Sequence, residues 1–234
     1  MNLKSTIIIA FMLITILPFL PSNTALANDT SDPQSPRVYL EKNTIVYDGP
    51  LTVEGVKAAK NLYSPIICRL VINSSGGEIN IGMTLGEWVY DKRLDVEVRN
   101  IAFSSAANYV FTAGKNKYLH RDSMLGWHGG ATQDNGDMVM DSVMKKYLAD
   151  SIARETAFFA KISVNQKSTV YGLNTEFKQY SEENGFVGWT YSLEAMEKMG
   201  IKNIYLLDGE WTPAGEYNGK KIFTIDVDDI VLNE

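Results

Sequence analysis

The chain has 234 residues, with 22 basic and 28 acidic side chains and a net charge of −6. Too few clustered cations remain for a surface that neutralises nucleic-acid phosphates, so nucleic acid is excluded as a partner. One cysteine, Cys68, excludes an intrachain disulfide, and two histidines with one cysteine argue against a structural zinc site.

The N-terminus reads as a signal peptide. Lys4 supplies a basic start, Thr6 to Phe19 is largely apolar, Pro21 and Ser22 break the run, and Ala25-Leu26-Ala27 offers small residues to a signal peptidase. Cleavage after Ala27 is expected, which makes the protein periplasmic or secreted. The apolar run falls short of the ~20 residues a membrane span needs. Residues 28–37 carry Pro33 and Pro36 and read as a flexible leader. Residues 38–234, roughly two hundred, suit one domain.

Val38 to Tyr47 contains a strand that ends at the Asp48-Gly49-Pro50 turn. Thr52 caps a helix with apolar positions at Val53, Val56, Ala59 and Leu62, and Pro65 stops it. Ile66 to Ile72 is a continuous apolar run, as expected of a strand covered on both faces, with Cys68 as a small buried side chain within it. Ile79 to Tyr90 is a second helix and Val96 to Phe103 the next strand. A helix entered at Ser104-Ser105 runs to Gly114, and Lys117–Leu119 and Met124–Trp127 are short strands. Asp137 to Lys161 carries the longest helical pattern. Thr169 to Gly188 has little period beyond a short helix at Thr175–Tyr180. Ser192 caps a helix that Gly200 ends, Ile204–Leu207 is a strand, and the tail alternates like a hairpin or edge strand. Alternating strands and helices predict an α/β fold.

Three pieces of this chain suit acyl transfer. Gly76-Gly77 lies where a strand gives way to a helix, so its backbone can approach a ligand and aim amides at an oxyanion, although a plain turn explains the pair equally well. Ser105 follows a strand and begins a helix, where free amides favour developing negative charge; capping of that helix by Ser104 or Ser105 is the alternative. His128, set among glycines after an apolar strand, is the candidate base, whereas His120 lies in a charged string that reads as a solvated turn.

Taken jointly, these pieces resemble the Clp-type serine peptidases. Asn73-Ser74-Ser75-Gly76-Gly77 with Gly82-Met83 is similar to that family's Asn-Ser-Pro-Gly-Gly…Gly-Met turn. Ser104-Ser105 through Tyr109-Val110-Phe111-Thr112-Ala113-Gly114 is similar to its nucleophile segment, and Leu125-Gly126-Trp127-His128 to its histidine strand. The spacings of 28 residues from Gly77 to Ser105 and 23 from Ser105 to His128 agree with the family, and the likeness spans about Ile45 to Ile204. The resemblance implies a Clp/crotonase fold, a spiral of β-β-α units with a handle helix at Asp137–Lys161. It implies Ser105 as nucleophile, His128 as base and the amides of Gly77 and Ala106 as oxyanion hole. The family's third residue, an aspartate, aligns near Asn184, with Glu182 or Glu183 as substitutes, and Ser75 stands where the family has proline. It also implies peptide or unfolded-protein substrates, a homo-oligomer and no cofactor. No phosphate-cradling loop accompanies it, so an ATP-driven unfoldase is not expected in the chain itself. The alternatives are a peptide- or protein-binding member without chemistry, which the missing aspartate favours, and an acyl-CoA enzyme of the crotonase type, which export disfavours.

Overall fold

The computed structural model describes residues 35–134, 140–213, 215–217 and 219–232. The expected signal peptide, residues 28–34 of the expected leader, and residues 137–139 at the start of the long predicted helix lie outside them, while Arg37, expected in the leader, begins a strand. No helix among the described residues is long and apolar enough to cross a membrane.

Strands β1 (Arg37–Glu41) and β2 (Thr44–Asp48) form an antiparallel hairpin that opens the main sheet. Helix α1 (Val53–Leu62) follows. Its Thr52 cap accepts from the Gly55 N–H, satisfying one of the orphan donors of the first turn. Strand β3 (Arg69–Ser74) then lies parallel to β2, and helix α2 (Ile79–Asp91) leads into β4 (Asp95–Phe103), parallel to β3. The short strands β5 (Lys117–Leu119) and β6 (Met124–Gly126) both pair with β4, one along its first half and one along its last. Helices α3 (Ser142–Ile162) and α4 (Thr175–Asn184) precede β7 (Phe186–Tyr191), α5 (Leu193–Lys198) and β8 (Ile204–Leu206). The sheet runs β1-β2-β3-β4-β5-β8, all parallel after the first pair, with β6 as an offshoot of β4.

A second sheet, β7 with β10 (Lys220–Ile225) and β9 (Glu216–Tyr217), is joined to the first by the bridge between Trp127 and Trp189. The fold is therefore α/β with a mostly parallel sheet.

Core side chains alternate along the parallel strands. Leu70, Ile72, Val96, Val98 and Leu119 pack with Met83, Leu85 and Val89 of α2 and with Tyr109, Val110 and Phe111. Each such side chain contributes about 1.5–3 kcal/mol on burial, which makes this seam the stabilising centre. Helix α3 is divided along its length. Its first half is largely exposed, with Val143 and Met144 facing solvent, while Ser151, Glu155, Phe158 and Phe159 bury its second half.

Several expectations need correction. The strand after Pro65 begins only at Arg69, because Ile67 donates back to the Ser64 carbonyl in a turn; Ile66 is 73 % exposed. Cys68 is likewise exposed rather than core, its Sγ accepting from Asn43 Nδ2 at 3.0 Å. The helix after the serine turn is a π-helix over Ala106–Phe111, a form that recurs at functional sites. Strand β7 was hidden in the stretch without period, since its partner β10 lies far along the chain and Gly185 and Gly188 break the pattern.

Candidate active site

The site is built where β3 and β4 end. The chain leaves β4 at Phe103, and Ser104 adopts φ +59°, a left-handed conformation rare for a residue with a side chain. That single strained residue lets Ser105 start the π-helix directly. Ser105 is 2 % exposed, and its Oγ donates to the Gly77 carbonyl at 2.7 Å. It makes no capping bond to the helix, so the capping alternative does not describe it.

Geometry requires both glycines of the turn. Gly76 has φ +91°, and a Cβ there would stand 2.6 Å from the Phe103 carbonyl and 2.8 Å from Ser104 Cβ. At Gly77 a Cβ would meet the Leu51 carbonyl at 2.4 Å. The turn is held by Leu51 N–H donating to Gly76 O at 2.9 Å and by Gly76 N–H donating to Ser74 Oγ at 3.1 Å. Absent side chains thus allow the glycine turn to press against the serine turn.

His128 follows β6. Trp127 and Trp189 exchange backbone bonds of 2.7 and 2.8 Å just before it, and its ring lies against Phe103 with centroids 5.3 Å apart. The ring is exposed and makes no hydrogen bond among the described residues. Two buried bonds fix the segment after it. Asn108 Nδ2 donates to the Gly129 carbonyl at 2.7 Å, and Ala131 N–H donates to Glu155 Oε1 at 3.0 Å. Glu155, on α3, is fully buried and also accepts from Tyr109 OH at 2.6 Å and Gln166 Nε2 at 2.8 Å. Burial, with the Glu155 charge beside it, holds the Tyr109 phenol protonated well above its ordinary range.

Two clefts meet at His128 and Val187. One, of about 650 Å³, is lined by Asn73, Ser74, Ser75 and Asp48 on its polar side and by Ile101, Phe103 and Met124 on its apolar side. The other, of about 640 Å³, is lined by His128 together with Asp134, Lys178 and Glu182. Ser105 lines neither cleft, its hydroxyl being turned to Gly77. Asn184 lies at the exposed end of α4, with its amide donating to the Tyr180 carbonyl at 2.9 Å, and it lines neither cleft. Glu183 accepts from Gln179 at 2.9 Å and is also away from them. Of the three candidates for the third position, only Glu182 shares a cleft with His128.

Sequence reasoning missed Asp134, Asn108 and Glu155. Glu155 had a signal: it stands three residues after Ile152 and four before Phe159, in the apolar stripe of the long helix, where an unpaired carboxylate needs buried donors. Asp134 had none, since its loop carries no period. The string His120-Arg121-Asp122 is an exposed turn as expected, and within it His120 bridges Glu97 at 3.2 Å and Asp208 at 3.3 Å.

No protein-family model matches the sequence, and no characterised protein matches it by sequence. Among solved structures, the chain is similar to ClpP1 from Listeria monocytogenes, at 16 % identity and a TM-score of 0.43, over 72 % of this chain and 92 % of that one.

Proposed function

We propose that the protein is an exported serine hydrolase that cleaves peptides, with Ser105 as nucleophile and His128 as general base. The observation that carries this reading is the Ser105 hydroxyl. It sits at a strained strand-to-helix turn, spares the helix its capping bond and donates instead to Gly77 at 2.7 Å. A hydroxyl in that position is one side-chain rotation from leaving Gly77. On substrate binding, Oγ would bond to the scissile carbonyl carbon while its proton passes to His128, and the amides of Gly77 and Ala106 would hold the oxyanion. The imidazolium then protonates the leaving amine, and water hydrolyses the acyl-enzyme with the same base. Asp134 or Glu182, each a carboxylate lining the same cleft as His128, would stabilise the imidazolium; Asn184 is set aside for this role.

A second reading, peptide binding without chemistry, is favoured by one observation: the same hydroxyl is buried and already hydrogen-bonded. Incubating the secreted protein with a mixed peptide library and reading new termini by mass spectrometry separates the two. Hydrolysis that disappears in Ser105→Ala supports the enzyme. Retention of peptides without new termini supports the binding protein.

A further inference from the structure

The Ser105 turn sits at the C-terminal ends of the parallel strands. At their opposite ends, three helices finish around a separate cavity of about 620 Å³, lined by Asp91 at the end of α2, Ile162 at the end of α3 and Gly200 just beyond α5. Lys117, the first residue of β5, is in its wall and is only 4 % exposed. Its ammonium donates to the carbonyls of Gly114 at 2.8 Å and Lys202 at 3.0 Å. An ammonium has three donors, so one is left without a protein acceptor among the described residues. No carboxylate compensates its charge, and burial alone lowers its pKa to about 8.

The surroundings add to this charge rather than cancel it. Arg93, Lys115 and Lys202 line the same cavity, and its one carboxylate, Asp91, is already paired with Lys161 at 2.5 Å. With the π-helix, which ends at Thr112 in the same wall, four helix C-termini contribute roughly half a negative charge each, less than four cations supply. The excess is notable in a chain whose net charge is −6. A buried cation with a spare donor, beneath three exposed ones, is an arrangement completed by a negative group.

We propose that this cavity binds a small oxyanion, a phosphate or a carboxylate, on the Lys117 ammonium with Arg93, Lys115 and Lys202 closing over it. The site is independent of the Ser105 chemistry, so it stands or falls separately from the hydrolase reading.

The test is thermal unfolding of the mature protein with inorganic phosphate in one arm and succinate in the other, each against sodium chloride at equal ionic strength. A ligand that binds only the folded state raises the melting temperature saturably. Saturable stabilisation by either anion, weakened at least tenfold in apparent Kd in Lys117→Met and in Arg93→Ser/Lys202→Ser, supports the site; the arm that responds identifies the class. The bound anion should also protect the exposed Lys115 and Lys202 from acetic anhydride, as read by peptide mapping, and its affinity should fall as pH rises through about 8. Stabilisation no greater than that of chloride, or unchanged in the variants, overturns the proposal. Should Lys117→Met fail to fold, the exposed double variant and the protection experiment decide it. Ser105→Ala is expected to bind the anion as the wild type does.

Discussion

Replacing Glu155 by alanine tests how the proposed base, His128, is held in place. The carboxylate is fully buried and gathers three short hydrogen bonds, from Tyr109 at 2.6 Å, Gln166 at 2.8 Å and Ala131 at 3.0 Å. Alanine leaves the buried Tyr109 and Ala131 donors without an acceptor, whereas the half-exposed Gln166 amide can turn to water. Each orphaned donor costs about 1–3 kcal/mol, and water entering the vacated space recovers part of it. A net loss of about 3–5 kcal/mol follows, or a fall in melting temperature on the order of 10 °C for a domain of this size. Glutamine keeps the shape and one acceptor but turns an NH2 toward donors, so about 1–2 kcal/mol is expected. Urea unfolding monitored by tryptophan fluorescence measures both, with the slope against urea unchanged. Because Ala131 lies three residues after His128, the rate at which a fluorophosphonate labels Ser105 should fall at least tenfold even in the folded Glu155→Gln protein. An alanine variant within 1 kcal/mol of wild type (a loss below the ~1 kcal/mol of a single orphaned donor), with unaltered labelling, would refute the reasoning.

Three further outcomes are expected. Asn184→Ala should leave labelling unchanged, whereas Asp134→Asn or Glu182→Gln should slow it, since only the latter two share a cleft with the imidazole. Gly76→Ala should lose about 2–4 kcal/mol in chemical denaturation, because the residue is left-handed and its new Cβ would press on the Phe103 carbonyl. Lys117 should give a distinctive pH dependence. Its folded pKa of about 8 lies below the unfolded value of 10.5, so the unfolded chain binds more protons between them. Stability therefore rises across that window, by up to about 3 kcal/mol, with the gain complete above 10.5 and absent below 8. Lys117→Met should lack this rise when denaturation is compared at both ends of the window without added oxyanion.

Much of the fold could be read along the chain where the signals were local. Thr52 and Ser192 cap the helices expected of them, and Gly200, at φ +87°, ends one. The alternation of strand and helix from β2 to β4 needed only local period. The errors arose where long-range pairing or composition overrode it. Ile66 and Ile67 look like strand residues, yet the turn after Pro65 consumes them. Strand β7 depends on β10, and no local pattern announces a parallel pair so far apart. In the candidate site, the glycine turn, Ser105 and the strand before His128 were legible because each is a local device. The third carboxylate was not, since which side chain faces an imidazole depends on how α4 and the loop after Gly130 fold back.

The central claim is that His128 activates Ser105. The most direct test is the rate of fluorophosphonate labelling of the mature protein as a function of pH, with the labelled residue located by peptide mapping. The claim predicts label on Ser105 alone, a rate that rises as an imidazole deprotonates near neutral pH, and a loss of about 10²–10⁴-fold in His128→Ala. No label at any pH, or label on Ser105 that is indifferent to His128, would contradict it.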